Sequence, residues 1–148
     1  MLVGRGQCVE QGGAGEPYMP ILDALSRMCE RPGGGAILDV LRSRAPTWLV
    51  QMPWLVPPEE LEQVERRAFG ANRERMLREM VETLERLAGR RTLVLALEDL
   101  HWSDPSTVDL LAALARRAEA ARLLVIGTQR PADGRSPRRA VHDTAREL

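Results

Sequence analysis

The chain has 148 residues, of which 44% are hydrophobic and 28% charged, and its 21 basic side chains balance 21 acidic ones. This length and composition are those of one folded domain or part of one. The charge balance excludes a uniform field that would attract nucleic acid or an anionic membrane, and no apolar run approaches the roughly 18 residues of a membrane helix. We therefore expect no direct nucleic-acid contact and no membrane association.

Two further features of the composition bear on chemistry. Every basic residue is Arg, because the sequence contains no Lys. The two cysteines, Cys8 and Cys29, form no CxxC pair, so neither a zinc site nor a disulfide framework is indicated. No signal-peptide pattern opens the sequence, and we expect a reduced, cytoplasmic protein.

A short strand is predicted at residues 2–9, followed by a glycine-rich loop at 11–17. A phosphate-binding loop of the GxxxxGK[ST] type needs a Lys and a hydroxyl residue after its last glycine. Here Gly15 is followed by Glu16 and Pro17, and an acid at that point would repel phosphate. The loop therefore reads better as a flexible turn than as a phosphate cradle.

The middle of the chain is predicted to be helical, because apolar residues recur at helical spacing between Pro and Gly signals. The predicted segments are a helix at 18–30, a linker at 33–35, a short helix ending before Pro46, a bent turn within 45–55, and helices at 57–70 and 71–90. Trp48 and Trp54 in the bent turn are expected to pack in the core, although a stacking platform for a base or an aromatic ligand is an alternative. The charged side of the last helix, with its Arg75–Glu79 pair, is expected to face solvent.

The final third of the chain has the pattern of a strand–helix–strand unit. Leu93–Leu97 form an apolar run that leads into Glu98 and Asp99, Asp104-Pro105 begins a helix that extends to about residue 118, and Leu123–Thr128 form a second apolar run. Such a unit requires parallel strands. The predicted fold class is α/β, with an incomplete parallel sheet of about three strands, helices on its faces and a helical insertion.

The two acids stand where ligands bind in open α/β sheets, outside the carboxyl ends of the strands. An apolar strand that ends in two acids has the Walker B pattern, in which one carboxylate orients hydrated magnesium and the next polarises the attacking water. The alternative is that Glu98 and Asp99 are solvated residues that begin a loop, with Asp99 fixing a turn.

The residues around these acids resemble the AAA-type ATPase module of STAND signalling proteins, a group of large bacterial regulators that includes LuxR-type transcription factors and cyclase- or kinase-linked proteins. The matching segments are Leu97–Thr107, Leu123–Pro131, Gly6–Gln11, Gly15–Tyr18 and Pro20–Leu25. The resemblance covers about residues 4–132, so we expect a partial ATPase domain at 1–132. It also implies that the incomplete parallel sheet is of the P-loop NTPase type. A polar, poorly ordered tail is expected at 133–148, where a short helix after Pro137 is compatible with the sequence.

The resemblance implies roles for six residues. Glu98 and Asp99 would be the Walker B pair and share magnesium coordination and water activation. His101 and Trp102 would form the loop that senses the nucleotide state, and Thr128 and Arg130 would sense its terminal phosphate. ATP and Mg²⁺ are the implied cofactors, and the other domains of a multidomain regulator are the implied partners.

The sequence departs from the family pattern in three ways. It has no Walker A loop, its first acid is Glu where Asp is more usual, and it begins on what looks like the second strand of the fold. We therefore expect a fragment of a regulatory ATPase module that is not competent to bind ATP alone.

Two other functions remain open at this point. One is a metal-dependent enzyme that uses Glu98, Asp99, His101 and Asp104. The other is a non-catalytic interaction module whose exposed sheet edge pairs with another chain.

Overall fold

The computed structural model describes residues 1–10, 16–117 and 122–130 of the chain. Its sheet has three parallel strands, β1 (Leu2–Gln7), β2 (Leu93–Glu98) and β3 (Leu123–Gly127), with β2 in the centre. In register, Leu93 of β2 lies opposite Leu2 on one side and Leu123 on the other. The predicted α/β class and its partial sheet of the P-loop NTPase type are thereby confirmed.

Six helices are described. Five lie between β1 and β2, and one connects β2 to β3. They are α1 (Met19–Glu30), α2 (Gly35–Arg44), α3 (Pro46–Leu49), α4 (Pro58–Ala68), α5 (Arg73–Arg90) and α6 (Pro105–Ala115), with 3₁₀ turns at Pro53–Leu55 and Leu100–Trp102. The predicted helices are confirmed within a few residues at their ends. Gly35 already belongs to α2, so the predicted linker is a tight turn.

The helix starts follow their capping residues. The Asp104 side chain accepts a hydrogen bond from the backbone N–H of Thr107 and caps α6, with Pro105 as the first helical residue. Asn72 caps α5 in the same way by accepting from the backbone N–H of Arg75. The sequence pattern predicts the cap at Asp104, whereas the cap at Asn72 was not predicted.

The core lies on one face of the sheet. Leu93, Leu95 and Leu97 alternate along β2 and are buried, whereas the residues between them are less so. Gly6 of β1 lets α1 approach the sheet closely, because a Cβ at this position would overlap the backbone carbonyl of Pro20. The helices thus pack against leucine side chains of β2 and against the glycine of β1, where the absence of a side chain makes room for α1.

The two tryptophans of the bent segment have different environments. Trp48 is fully buried, packs against Tyr18 with ring centroids 4.7 Å apart, and donates from Nε1 to the carbonyl of Met76. Trp54 is 63% exposed and donates from Nε1 to Ser26 Oγ. The expectation that both belong to the core is therefore right for Trp48 and wrong for Trp54, whose ring lies over the surface.

Glu79 of α5 corrects a second expectation. It is 8% exposed, and its carboxylate accepts hydrogen bonds from the backbone and hydroxyl of Thr47 and from Arg75 Nε. The face that was predicted to be solvated thus carries a buried acid. This acid joins the start of α3 to α5.

Several predictions fall outside the described residues. These are the glycine-rich loop at 11–15 and the segment beyond residue 130, including the predicted boundary at residue 132. Within the described part of the chain, no helix has the length and apolar character needed to cross a membrane.

Candidate functional site

The carboxyl ends of the three strands meet along one edge of the sheet, as parallel pairing requires. Gln7 and Glu98 are the last residues of β1 and β2 and lie opposite each other in register. Gly127 ends β3 opposite Leu97, and Thr128 follows it. Side chains that were distant in the sequence are therefore neighbours at this edge.

Asp99 is held from both neighbouring strands. Gln7 Nε2 donates to Asp99 Oδ2 over 3.4 Å, and the backbone N–H of Asp99 donates to Thr128 Oγ1 over 3.1 Å. Asp99 has a left-handed backbone with φ 56° and ψ 44°, which Asp tolerates better than most residues. This conformation ends β2 and turns the chain into the following 3₁₀ turn.

The turn after Asp99 is fixed to the end of β3 by backbone hydrogen bonds. The N–H of Leu100 donates to the carbonyl of Thr128 over 2.8 Å, and the N–H of Thr128 donates to the carbonyl of Leu97 over 3.0 Å. The Leu100 side chain packs over Gly127, where a Cβ would overlap it. A small residue at the end of β3 is thus what allows the two strand ends to close together.

His101 and Trp102 lie in this turn with their rings 5.0 Å apart. The backbone N–H of Arg130 donates to His101 Nδ1 over 3.5 Å, and the same nitrogen lies 4.0 Å from Asp99 Oδ1. The loop after β3 therefore lies against the loop after β2. The Arg130 contact uses its backbone, and the residue as a whole is exposed.

Glu98 is exposed at the end of β2, and its backbone carbonyl accepts a hydrogen bond from the N–H of Cys8 over 2.9 Å. Burial raises the pKa of the Cys8 thiol, with a hydrogen bond to Ser103 acting in the opposite direction and the nearby charges of Asp104 and Asp99 raising it further. Cys8 is therefore a neutral thiol beneath the edge at neutral pH, since its unperturbed pKa is already above that range.

Asp104 serves the structure of α6 and of the loop before α1. Its carboxylate accepts hydrogen bonds from the backbone N–H of Tyr18 and from both the backbone N–H and the hydroxyl of Thr107. Among the described residues, no group of three or more His, Cys, Asp or Glu is placed to hold a metal ion. The alternative of a self-contained metal site with Asp104 as a ligand therefore gains no support from the geometry.

The structure brings the predicted site residues to one edge of the sheet, but not all of them contact one another. Asp99, His101, Thr128 and the backbone of Arg130 are linked by the contacts above, Trp102 joins through the ring of His101, and Glu98 lies in the open beside them. The sequence analysis missed Gln7. Its position near the carboxyl end of the strand predicted at 2–9 was the available signal, because the ends of parallel strands share an edge.

Comparison with known proteins decides the family. A family model described as the AAA ATPase domain matches residues 1–126. The chain belongs to this family. The match includes β1, β2 and most of β3, and it ends before Thr128 and Arg130, so the AAA domain match covers the acids but not every predicted site residue.

Similarity to individual proteins is narrower. An uncharacterized protein of Rhizobium meliloti (strain 1021) is 39% identical over 61 residues, which are 41% of this AAA chain and 6% of that protein. The chain thus spans a small part of this relative's length. No solved structure matches the chain.

Membership of the family bears on the cofactors. AAA ATPase domains as a class bind ATP together with Mg²⁺. Magnesium takes oxygen ligands, keeps several waters, and is commonly bound by one or two carboxylates plus phosphate oxygens. The exposed carboxylate of Glu98 and the fixed carboxylate of Asp99 fit that requirement.

Proposed function

We propose that Glu98 and Asp99 are the Walker B pair of an ATP-dependent regulatory module. The observation that carries this proposal is the double attachment of Asp99, by Gln7 from β1 and by Thr128 from β3. The bond from the Asp99 backbone to Thr128 fixes the turn after β2, and the bond from Gln7 holds the carboxylate at the edge of the sheet. A fixed carboxylate at the strand edge is suited to orienting a reactant.

The two acids have different positions and therefore different tasks. Glu98 extends from the strand end into solvent, and it would accept hydrogen bonds from the hydration shell of magnesium or coordinate the ion directly. Asp99, with Oδ2 bound to Gln7, would use Oδ1 to orient water and accept its proton. Bound magnesium would supply neutralisation of phosphate charge.

The residues around the acids would respond to the nucleotide. Thr128 contacts the backbone of Asp99, and the backbone of Arg130 contacts His101. A movement of the loop after β3 would therefore act on the turn after β2. We propose that Arg130 senses the terminal phosphate with its guanidinium. His101 and Trp102 would pass that change on as the state-sensing loop.

We propose that this chain binds nucleotide weakly. The Walker A lysine that holds the terminal phosphates has no counterpart, because the sequence contains no Lys. We propose that strong binding requires a phosphate-binding element from outside this sequence. Residues 1–132 would then be one part of the complete ATPase module, and 133–148 a segment beyond it.

A signalling role is proposed from the same residues. The motif at the strand ends resembles that of STAND regulators, including LuxR-type transcription factors, and the matched relative is far longer than this chain. The partners would be the other domains of a multidomain regulator. Nucleotide exchange or hydrolysis would switch their arrangement.

Isothermal titration with Mg-ATP tests nucleotide competence. We expect no binding tighter than about 1 mM, which corresponds to about −4 kcal/mol. Micromolar binding that is abolished by Glu98→Ala with Asp99→Ala would overturn the proposed weakness and support the site. Micromolar binding that survives this double substitution would overturn the site. The matched control removes two exposed acids of α4, in Glu62→Ala with Glu65→Ala.

A further inference from the structure

The strand β3 forms one open edge of the sheet. It pairs with β2 on one side, and within the described part of the chain no strand pairs with its other side. The carbonyl of Arg122 and the N–H of Thr128 both bond to β2. Because the direction of the backbone groups alternates along a parallel strand, those of Leu123, Val125 and Gly127 point to the open side. The edge of β3 therefore presents a row of backbone donors and acceptors.

The two edge strands of the sheet differ in how they are protected. Charged side chains on an edge strand commonly prevent it from pairing with another chain. On β1, Arg5 supplies an exposed charge, and the Arg31 guanidinium donates to the carbonyl of Val3 over 3.1 Å. That carbonyl points away from β2, because the neighbouring N–H of Leu2 bonds towards it. On β3, all five residues are uncharged, and its two outward-facing apolar side chains are about half exposed. The edge of β3 is thus the one suited to adding a strand.

We propose that β3 pairs with β3 of a second copy of this chain, antiparallel and about a two-fold axis at Val125. In an antiparallel ladder, opposite residues exchange hydrogen bonds where both point towards the partner strand. With Val125 opposite its own counterpart, Leu123 of each copy lies opposite Gly127 of the other. All the edge-directed groups of both strands then bond, and the two sheets become continuous. This proposal does not depend on the proposed nucleotide function.

The side chains of β3 complement one another in this register. Leu124 is 52% exposed and Ile126 is 48% exposed, and both stand on the face of the sheet that points away from the core. The two-fold axis places Leu124 of each copy opposite Ile126 of the other, so that two equal apolar cross-strand pairs form. At the ends, Arg122 lies opposite Thr128, and no like charges meet. The strand therefore supplies a matching partner for itself, as a two-fold contact requires.

The charged residues on the same face do not oppose this pairing. Glu98 stands at the end of β2, and Arg5 stands in β1, which is about 10 Å from β3 across the sheet. Neither residue belongs to the paired strands, so neither enters a cross-strand pair. The register is also the one that uses the whole strand, because a shift by two residues in either direction leaves part of β3 without a partner.

Sedimentation equilibrium of the full chain tests the proposal. We expect the mass to rise with concentration from 16.5 kDa towards twice that value. Ile126→Lys places a charge against Leu124 in both cross-strand pairs, and it should weaken the dimer about tenfold. The matched control is Val3→Lys, which places the same charge on the same face of the other edge strand. It should leave the dissociation constant unchanged.

A pair of complementary charges tests the register. Leu124→Glu should weaken the dimer as Ile126→Lys does. A mixture of the two variant chains should restore it, because the register places the two substituted positions opposite each other. The methyl signals of Ile21 and Ile37, which are buried in the core, should keep their positions in every variant and show that the fold is intact.

Three results would overturn the proposal. The first is a monomeric mass at every concentration, which would mean that a second copy does not occupy this edge. The second is a dimer that Val3→Lys weakens as much as Ile126→Lys, because the contact would then not be specific to β3. The third is a mixture of Leu124→Glu and Ile126→Lys chains that dimerises no better than either chain alone.

Discussion

Gln7 and Asp99 lie 92 positions apart in the chain, and Gln7 Nε2 donates a hydrogen bond to Asp99 Oδ2 across the ends of β1 and β2. On the other side, Thr128 accepts from the backbone of the same aspartate. The acid is therefore fixed at the centre of the carboxyl edge by both neighbouring strands. This arrangement sets the geometry from which the proposed function follows.

Thr128→Val should loosen the left-handed turn at Asp99. The substitution removes the hydroxyl that accepts from the Asp99 N–H and keeps the side-chain shape, so we expect a loss of about 1 kcal/mol in unfolding free energy. Hydrogen exchange at the Asp99 amide should accelerate. Thr128→Ser retains the hydroxyl and should retain the protection. Equal protection in the Val and Ser variants would contradict the assignment of this hydrogen bond.

Gly6→Ala should destabilise the fold, because its Cβ would overlap the carbonyl of Pro20 and push α1 away from the sheet. Overpacking of this kind costs about 1–3 kcal/mol. Gly89→Ala in α5 is the control, since a Cβ there meets nothing within 4 Å. It should stabilise the helix by up to about 1 kcal/mol. Urea unfolding measures both, and an equal effect of the two substitutions would contradict this packing.

Glu79→Ala should cost about 3 kcal/mol, because it removes a buried carboxylate that satisfies Thr47 and pairs with Arg75. Glu62→Ala removes an exposed acid that pairs with Arg66 at the same i, i+4 spacing. That change should cost less than about 0.5 kcal/mol. Thermal or urea unfolding distinguishes them. Similar losses would mean that Glu79 is no more than a surface charge.

The buried thiol of Cys29 should lower the free energy of unfolding at alkaline pH. Burial raises the pKa of its thiol from 9.0 to about 11, with the charge of Glu30 adding to the effect. Above pH 9 the unfolded chain loses this proton before the folded chain does, so folding is progressively disfavoured up to about pH 11. Urea unfolding at pH 8 and pH 10 should show a larger loss for this chain than for Cys29→Ala, by up to about 1 kcal/mol. An equal loss of unfolding free energy in the unsubstituted chain and in Cys29→Ala would contradict the raised pKa of Cys29.

Local pattern was sufficient for most of the fold. The apolar runs of β2 and β3 and the capping signal at Asp104-Pro105 identify a strand–helix–strand unit, and the chirality and pairing rules then fix parallel strands. The same rules place Glu98, Asp99 and Thr128 on one edge. The apolar runs and the capping signal each depend on residues that are close in sequence.

Tertiary contacts explain what was missed. Trp48 and Trp54 lie in similar proline-broken surroundings, but Trp48 is buried and bonds to Met76 of α5, whereas Trp54 bonds to Ser26 of α1 and is 63% exposed. Glu79 forms the local pair with Arg75 that is typical of a solvated helix face, but α3 brings Thr47 onto it and buries it. Gln7 became part of the site through strand register. No local pattern specifies the contacts of Trp48 or Glu79.

Paramagnetic NMR with Mn-ATP tests the central claim, that Glu98 and Asp99 form the metal-nucleotide site, most directly. Mn²⁺ takes the same oxygen ligands as Mg²⁺ and broadens nearby amide signals even when binding is weak. We expect broadening at Gln7, Asp99 and Thr128 that disappears in Glu98→Ala with Asp99→Ala and persists in Glu62→Ala with Glu65→Ala. Broadening that survives loss of both strand-end acids, or that occurs only away from this edge, would contradict the account.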